Sequence, residues 1–373
     1  LRTRLARVGG SRVNFTFDTI TPVRELVIVV PDVYLPRELH GASSAAADVA
    51  NVPGIEQVAR FGARASLACG WREWLLAHAG RADLKGVAPV CIAAAALGPA
   101  WPATRALAQE AHSSARWIAT AMHLEAGLRH VHLDHRGLLR LSEAEQAQLS
   151  ADFARTFGSS HYALEPLPSG EFLLDTPGLA TVATCEPARC IGGALDAFTP
   201  AGTAAAPLRR LLAEIEMWLH TQPLNESRRL RGAMTVTSLW PWGASGRIVR
   251  PAPGVCAALP LGFGRDAWLE GLWRLQGSAA GPAPQRLEEV LAETARAGVV
   301  LVELGGQLRG EADTVADALQ RIDERLVSPA VAALRNGALD HLRVILNDVC
   351  VQLQRGNLRR FWRRGLSGLA GFA

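Results

Sequence analysis

The sequence predicts an α/β fold: a mainly parallel sheet flanked by helices, with a small α+β domain inserted into it. Three observations point there. Continuous β-branched runs recur far apart in the chain, amphipathic helical stretches separate them, and one compact segment switches to strand alternation. The 373 residues are 49% hydrophobic and 20% charged, which is globular composition and excludes wholesale disorder. A chain of this length buries a full core without disulfide or metal staples.

Glu25-Leu26-Val27-Ile28-Val29-Val30-Pro31-Asp32 is a short apolar run ending in Pro-Asp, the pattern of a strand covered on both faces. Ligands of open α/β sheets gather at the C-terminal ends of such strands, so Asp32 is placed for chemistry by position. Its alternative role is a turn or helix cap. Pro53 to Gly62 reads as a helix with Pro at its start and Gly at its stop. Trp71 to Ala79 and Ala103 to His112 read as two more. Met122–Glu125 and His130–Asp134 alternate as strands, and Ser142 with Glu145 forms a capping box opening a helix to about Phe157. His161–Glu165 and Glu171–Leu174 follow as strands around Pro168-Ser169-Gly170. The expected division is a loose arm at 1–22, a core at 23–118 and 180–373, and an inserted unit at 119–179.

Pro207 to Leu219 is an amphipathic helix with Leu208, Leu211, Leu212, Ile215 and Leu219 on one stripe. Val299–Leu304 and Leu342–Leu346 read as buried strands, the second ending at Asn347-Asp348. A helix from Ala312 to Leu326 is expected to stop before Pro329.

The formal charge of +4 is too weak to indicate nucleic acid. Arg355, Arg359, Arg360, Arg363 and Arg364 read as a solvated basic end rather than a phosphate-binding stripe. Lys85 is the single lysine, as an arginine-biased genome would give. The six cysteines are Cys69, Cys91, Cys185, Cys190, Cys256 and Cys350. None forms C-x-x-C, and the closest spacing is Cys185-x4-Cys190, so they read as reduced thiols of a cytoplasmic protein. No apolar run reaches membrane-spanning length. Leu1 to Arg12 holds four arginines and no acid, resembling a transit peptide in composition alone.

His123, His130, His132, Asp134 and His135 are the densest histidine group. His130, His132 and Asp134 would share one strand face, as a metal site requires, but solvated strand histidines are the favoured reading because exposed polar faces are the norm on small sheets. His135 points to the other face. Trp240 and Trp242 are either core aromatics or a stacking surface for a ligand. Gly243 and Gly246 form no complete phosphate loop.

The run from Glu214 through Met217-Trp218-Leu219-His220 to Pro223-Leu224-Asn225-Glu226, followed by Ser238-Leu239-Trp240-Pro241-Trp242-Gly243, resembles a proteobacterial group described as RpfE-type regulatory or phosphoglycerate mutase-like proteins. The same order is similar to archaeal-type cofactor-independent phosphoglycerate mutases of the alkaline phosphatase superfamily. The resemblance spans roughly Val23 to the C-terminus. It implies a mainly parallel α/β core with an inserted lid, and two Mn or Zn ions held by Asp and His beside a Ser or Thr nucleophile. It places Asp32 at the first metal aspartate. The Asp and His expected after a buried strand fall on Leu304 and Leu308, the Asp-His after the last strand on Asp348 and Val349, and an Asn on Thr237. Ser43, Ser44 and Ser66 are the nearby hydroxyls, with no nucleophile motif. The expectation is therefore a family member without metal-dependent catalysis and without a cofactor. Asp32 and Asp348 would be metal-site remnants. An anionic small molecule or protein partner would bind near Asp32, Asn225, Arg228, Arg229, Trp240, Trp242 and Gly243. The alternative is an active Mn- or Zn-dependent phosphomutase or phosphatase with relocated ligands.

Overall fold

The computed structural model describes residues 24–33, 51–98, 114–245, 260–293, 297–308 and 313–359. The arm at 1–22, Ser43, Ser44, the helix expected at Ala103–His112, Gly246, Cys256 and Arg360 to Arg364 lie outside the described residues.

The strands in chain order are β1 (Glu25–Val30), β2 (Ala63–Ser66), β3 (Ser114–Ala126), β4 (Val131–Leu138), β5 (Ala163–Pro166), β6 (Phe172–Pro177), β7 (Ser238–Ser245), β8 (Leu261–Phe263), β9 (Ala297–Leu301), β10 (His341–Leu346) and β11 (Val349–Gln354). The helices are α1 (Pro53–Phe61), α2 (Gly70–His78), α3 (Pro89–Ala93), α4 (Glu143–Phe157), α5 (Ala206–His220), α6 (Pro223–Leu230), α7 (Ala267–Arg274), α8 (Leu287–Glu293), α9 (Val315–Ile322) and α10 (Ser328–Asn336).

Six strands form the first sheet in the order β2-β11-β10-β1-β9-β8. β10, β1, β9 and β8 run parallel, and β11 and β2 close one edge antiparallel. The apolar run of β1 is continuous because both its faces are covered. Leu26, Ile28 and Val30 enter a cluster with α1, α9 and α10, whereas Val27 and Val29 enter another with Trp71 of α2 and Trp268, Leu272 and Trp273 of α7.

The second sheet is antiparallel, ordered β4-β3-β6-β5, with β7 also paired to β3. The strands expected in the 119–179 unit are all in it, and the sheet reaches further, from Ser114 to Ser245, because β7 lies along most of β3. One face packs under α4, α5 and α6, and all five residues of the α5 stripe are buried there. The other face, with Ile118, Met122, Trp240 and Trp242, meets α3 and the start of α7. α3 and α7 thus lie between the sheets, so close that a Cβ on Gly271 would stand 1.9 Å from the Ile92 carbonyl oxygen.

The capping box at Ser142 and Glu145 forms as expected. The helix expected to stop before Pro329 does not. After α9 the backbone widens into a π-turn at Asp323–Val327 and continues into α10. Widening at this point accommodates Pro329, which has no N–H to donate and sits in the first turn of α10. Buried Asp323 accepts from the N–H groups of Gly54 (3.0 Å) and Ile55 (2.6 Å) and from Ser328 Oγ (2.6 Å), fixing the start of α1 against this turn.

Candidate functional site in the seam between the sheets

Four acids stand at or just beyond the C-terminal ends of the first sheet's parallel strands: Asp32 after β1, Asp266 after β8, Glu303 after β9 and Asp348 after β10. In an open α/β sheet this edge is where ligands bind. Here each acid has a partner: the backbone of the turn after β9 for Asp32, and arginines that follow β4, lie in α2 and lie in the 3-10 turn Pro187–Cys190 for Glu303, Asp266 and Asp348.

Asp32 is 1% exposed. Its carboxylate accepts from Leu304 N (2.7 Å) and Gly305 N (3.0 Å), at the start of the 3-10 turn Gly305–Gln307. Burial raises its pKa to about 7, the Glu303 charge adds to the rise, and the backbone N–H groups limit it. Gly305 is needed for close approach: a Cβ there would lie 2.3 Å from the His135 carbonyl oxygen.

Glu303 is bound by Arg140, through Nε at 3.2 Å and through Nη2. Arg140 Nη1 also lies 3.1 Å from Glu171, a carboxylate with a 3% exposed side chain. Glu171 further accepts from Thr120 Oγ1 (2.7 Å), Ser169 Oγ (3.3 Å) and Ala267 N (3.2 Å). Burial opposes the Arg140 charge, but Glu171 and Glu303 more than offset it and hold the guanidinium firmly protonated.

Asp266 caps α7 through Leu269 N (2.8 Å) and accepts from Arg72 Nη2 (2.8 Å). Arg72 also binds Glu186. Its guanidinium lies 4.3 Å from the ring centre of Trp71 and 4.8 Å from that of Trp242, a geometry in which the ring faces favour the cation. Asp348 receives Arg189 Nη2 on both carboxylate oxygens at 2.8 Å. This bridge is the more open one, with side chains 43% and 30% exposed.

The expected site residues separate into two places. Trp242 and Gly243 line a cavity of about 420 Å³ together with Trp71, Arg72, Glu186 and Arg189. Trp242 Nε1 donates to Thr120 Oγ1 at 3.0 Å, and Trp240 Nε1 to the Cys185 carbonyl at 2.8 Å, so both rings are core aromatics with anchored polar tips. Asn225, Arg228 and Arg229 lie in the helical layer of the second sheet. Buried Asn225 bonds Leu219 O, Val236 O and Val236 N. Arg228 binds Glu145 and Met234 O, and Arg229 binds Glu226. Asn225 and Arg228 tie elements of that layer together, whereas the Arg229–Glu226 bridge is an exposed pair within α6.

A pair of divalent cations needs several free oxygen or nitrogen donors converging on it. Leu304 is fully buried in the first core cluster and Leu308 packs against it. The Asp32 carboxylate is held by backbone N–H groups and Asp348 by a guanidinium. Ser66 ends the edge strand β2, paired with Val349. His130 lies 3.5 Å from Asp196 and His132 3.3 Å from Glu125, both on the open side of β4, while His135 is buried on the other face. Among the described residues no group of three or more His, Cys, Asp and Glu side chains is placed to hold a metal ion. The residues at these positions do not fit the two-metal centre that the resemblance implies.

Arg72, Arg140, Glu171, Glu186, Arg189, Asp266 and Glu303 escaped the sequence reading. Asp266 and Glu303 had a signal, since each follows an apolar run as Asp32 does. The arginines had none.

Fold and site together define a two-sheet α/β protein in which arginine–carboxylate bridges cross the C-terminal edge of the parallel strands. The chain is similar to the cofactor-independent phosphoglycerate mutase of Thermoplasma acidophilum, at 14% identity over 92% of this chain and 93% of that one, with a TM-score of 0.39. It is also similar to the PH0037 protein of Pyrococcus horikoshii, at 12% identity over 90% and 88%, with a TM-score of 0.38. No protein-family model and no curated protein matches the chain.

Proposed function

We propose that this is a phosphoglycerate mutase-like protein that has lost metal-dependent catalysis and acts by binding, in a regulatory role. One observation carries the reading: the acids at the sheet edge are engaged by guanidinium or backbone N–H groups, while the neighbouring positions are core leucines. A guanidinium supplies the positive charge that a cation otherwise brings, but it offers no open coordination position for a phosphoryl oxygen. The cavity beside Trp242 and Gly243 is the place for an anionic small molecule. Its carboxylate or phosphate would compete with Asp348 for Arg189, the more exposed of the two cavity arginines.

The test is metal analysis of protein purified without chelator, paired with phosphoglycerate mutase and phosphatase assays in Mn and Zn. Substoichiometric metal and no metal-dependent turnover are expected. Stoichiometric Mn or Zn with metal-dependent turnover would overturn the proposal and favour an active phosphoryl-transfer enzyme with relocated ligands.

A further inference from the structure

The cavity beside Trp242 and Gly243 is lined by two guanidiniums, Arg72 and Arg189, and by two carboxylates, Glu73 and Glu186, so its wall is not simply basic. Arg72 and Glu186 are engaged with each other, and Arg72 also donates to Asp266 at 2.8 Å, which makes a largely buried group closed on itself. The other two charges stand in looser bridges. Arg189 is in the open bridge to Asp348. Glu73 Oε2 has Lys85 Nζ at 3.8 Å, with side chains 35% and 71% exposed. Exposed bridges of this kind contribute little to stability and yield readily to a competing ion. One cation and one anion are therefore available to a guest.

These two charges share the first turn of α2. A Cβ on Gly70, the first residue of that helix, would lie 3.5 Å from Arg189 Nη2 and 3.4 Å from Asp348 Oδ1. Glu73 is three residues on, and positions three apart on a helix are neighbours on one face, with Cβ atoms about 5–6 Å apart. Much of the remaining wall is apolar, with Leu76, Val87, Pro89, Trp242 and Trp268. Two lining residues also carry buried polar atoms without a hydrogen-bond partner among the described residues, Arg72 Nε and Thr184 Oγ1. Buried polar groups are as a rule paired, so these atoms call for a guest with hydrogen-bonding oxygens. The volume of about 420 Å³ falls within the roughly 300–1,000 Å³ of small-molecule sites.

We propose that this cavity binds a small zwitterion with an apolar body, an amino acid in chemical class. Its carboxylate pairs with Arg189 in place of Asp348, its ammonium pairs with Glu73 in place of Lys85, and its side chain lies against the tryptophan and aliphatic wall. The inference rests on the binding role proposed above and adds a second, opposite charge to the ligand. A phosphate dianion suits the site less well. Only one loosely held cation is there to meet its two negative charges, and Glu73 and Glu186 repel the second. A free acid or a free amine of the same body satisfies one of the two charges and leaves the other unmet.

The test is isothermal titration calorimetry of the full chain at neutral pH, with ligands that share a phenyl body: L-phenylalanine, 3-phenylpropionate, phenethylamine and phenyl phosphate. Phenylalanine is expected to bind one to one, tighter by about tenfold or more than each of the others. Glu73→Gln should bring phenylalanine down to the affinity of 3-phenylpropionate, and Arg189→Gln should bring it down to that of phenethylamine. Both side chains are partly exposed, so the variants are expected to fold. Binding of 3-phenylpropionate or phenyl phosphate within that margin would overturn this inference and leave an anion-binding cavity standing. Phenethylamine within the margin, no heat of binding from any ligand at roughly millimolar concentration, or phenylalanine affinity unchanged in both variants would also overturn it. Metal-dependent turnover bears on the loss of catalysis alone, and the wild-type panel decides the ligand class whether or not a variant folds.

Discussion

Replacing Arg140 with methionine keeps most of the side chain's apolar length and removes its charge. Glu171 and Glu303 would then face the same vacated space with no cation between them. Removing one partner of a buried ion pair costs about 3–5 kcal/mol. Two features place this case at the lower end. The Arg140 and Glu303 side chains are 18% and 20% exposed, so water screens part of the repulsion. Glu171 keeps the donors Thr120 Oγ1, Ser169 Oγ and Ala267 N. The expected loss is about 3 kcal/mol. Urea unfolding followed by fluorescence of the ten tryptophans measures it. Adding Glu171→Gln removes one of the stranded charges and keeps an acceptor for Ala267 N, so the double variant should recover about 1–2 kcal/mol, the coupling of side chains in one network. A single variant within about 1 kcal/mol of wild type, or a double variant whose losses simply add, would refute the idea that Arg140 holds the seam by charge.

Glu270 should give stability a pH dependence of opposite sign to an ordinary paired carboxylate. Burial, with Asp266 and Glu171 adding, raises its pKa from 4.5 to about 7. The folded state therefore keeps a proton that the unfolded state has released, and its contribution declines as pH rises from about 4.5 through 7. Relative to Glu270→Gln, wild type should lose about 1–2 kcal/mol between pH 5 and 8, discounted for the partial exposure of this side chain. A stability difference flat across that range would contradict it. Asn225→Ala strands the buried N–H and carbonyl of Val236 and leaves the Leu219 carbonyl with its backbone donor alone, so a loss of about 2–3 kcal/mol is expected in the same urea assay. Wild-type stability in that variant would return Asn225 to the list of candidate ligand-binding residues.

Local pattern made some of this molecule readable from its sequence and left the rest hidden. The both-faces-buried character of β1 was visible because five apolar residues stand in a row, and the α5 stripe because its spacing is helical. The capping box needed four residues. By contrast β2, Ala63–Ser66, is an exposed edge strand without apolar alternation, and nothing in it predicts pairing with β11. Pro329 read as a stop because the π-turn that precedes it has no sequence signature of its own. Asp32 and Asp348 announced themselves by following strands, and Asp266 and Glu303 carry the same signal more faintly. Their arginines did not, because Arg140 meets Glu303 across 163 residues and Arg72 meets Asp266 across 194. Asn225 stood out within the family resemblance, but its side chain is spent on holding backbone.

The central place of β1 has a consequence for how the chain reaches this state. Its two neighbours, β9 and β10, begin at residues 297 and 341, so the earliest described strand cannot pair until segments far downstream of it exist. The antiparallel sheet between residues 114 and 245 needs only its own segment. On a ribosome it can close while β1 is still unpaired, a nascent apolar strand waiting for β9 and β10. Such long-range parallel pairing is slow and exposed to aggregation. The hazard of misassembly in this molecule is therefore concentrated in five residues, Leu26 to Val30, during the time before β9 and β10 emerge.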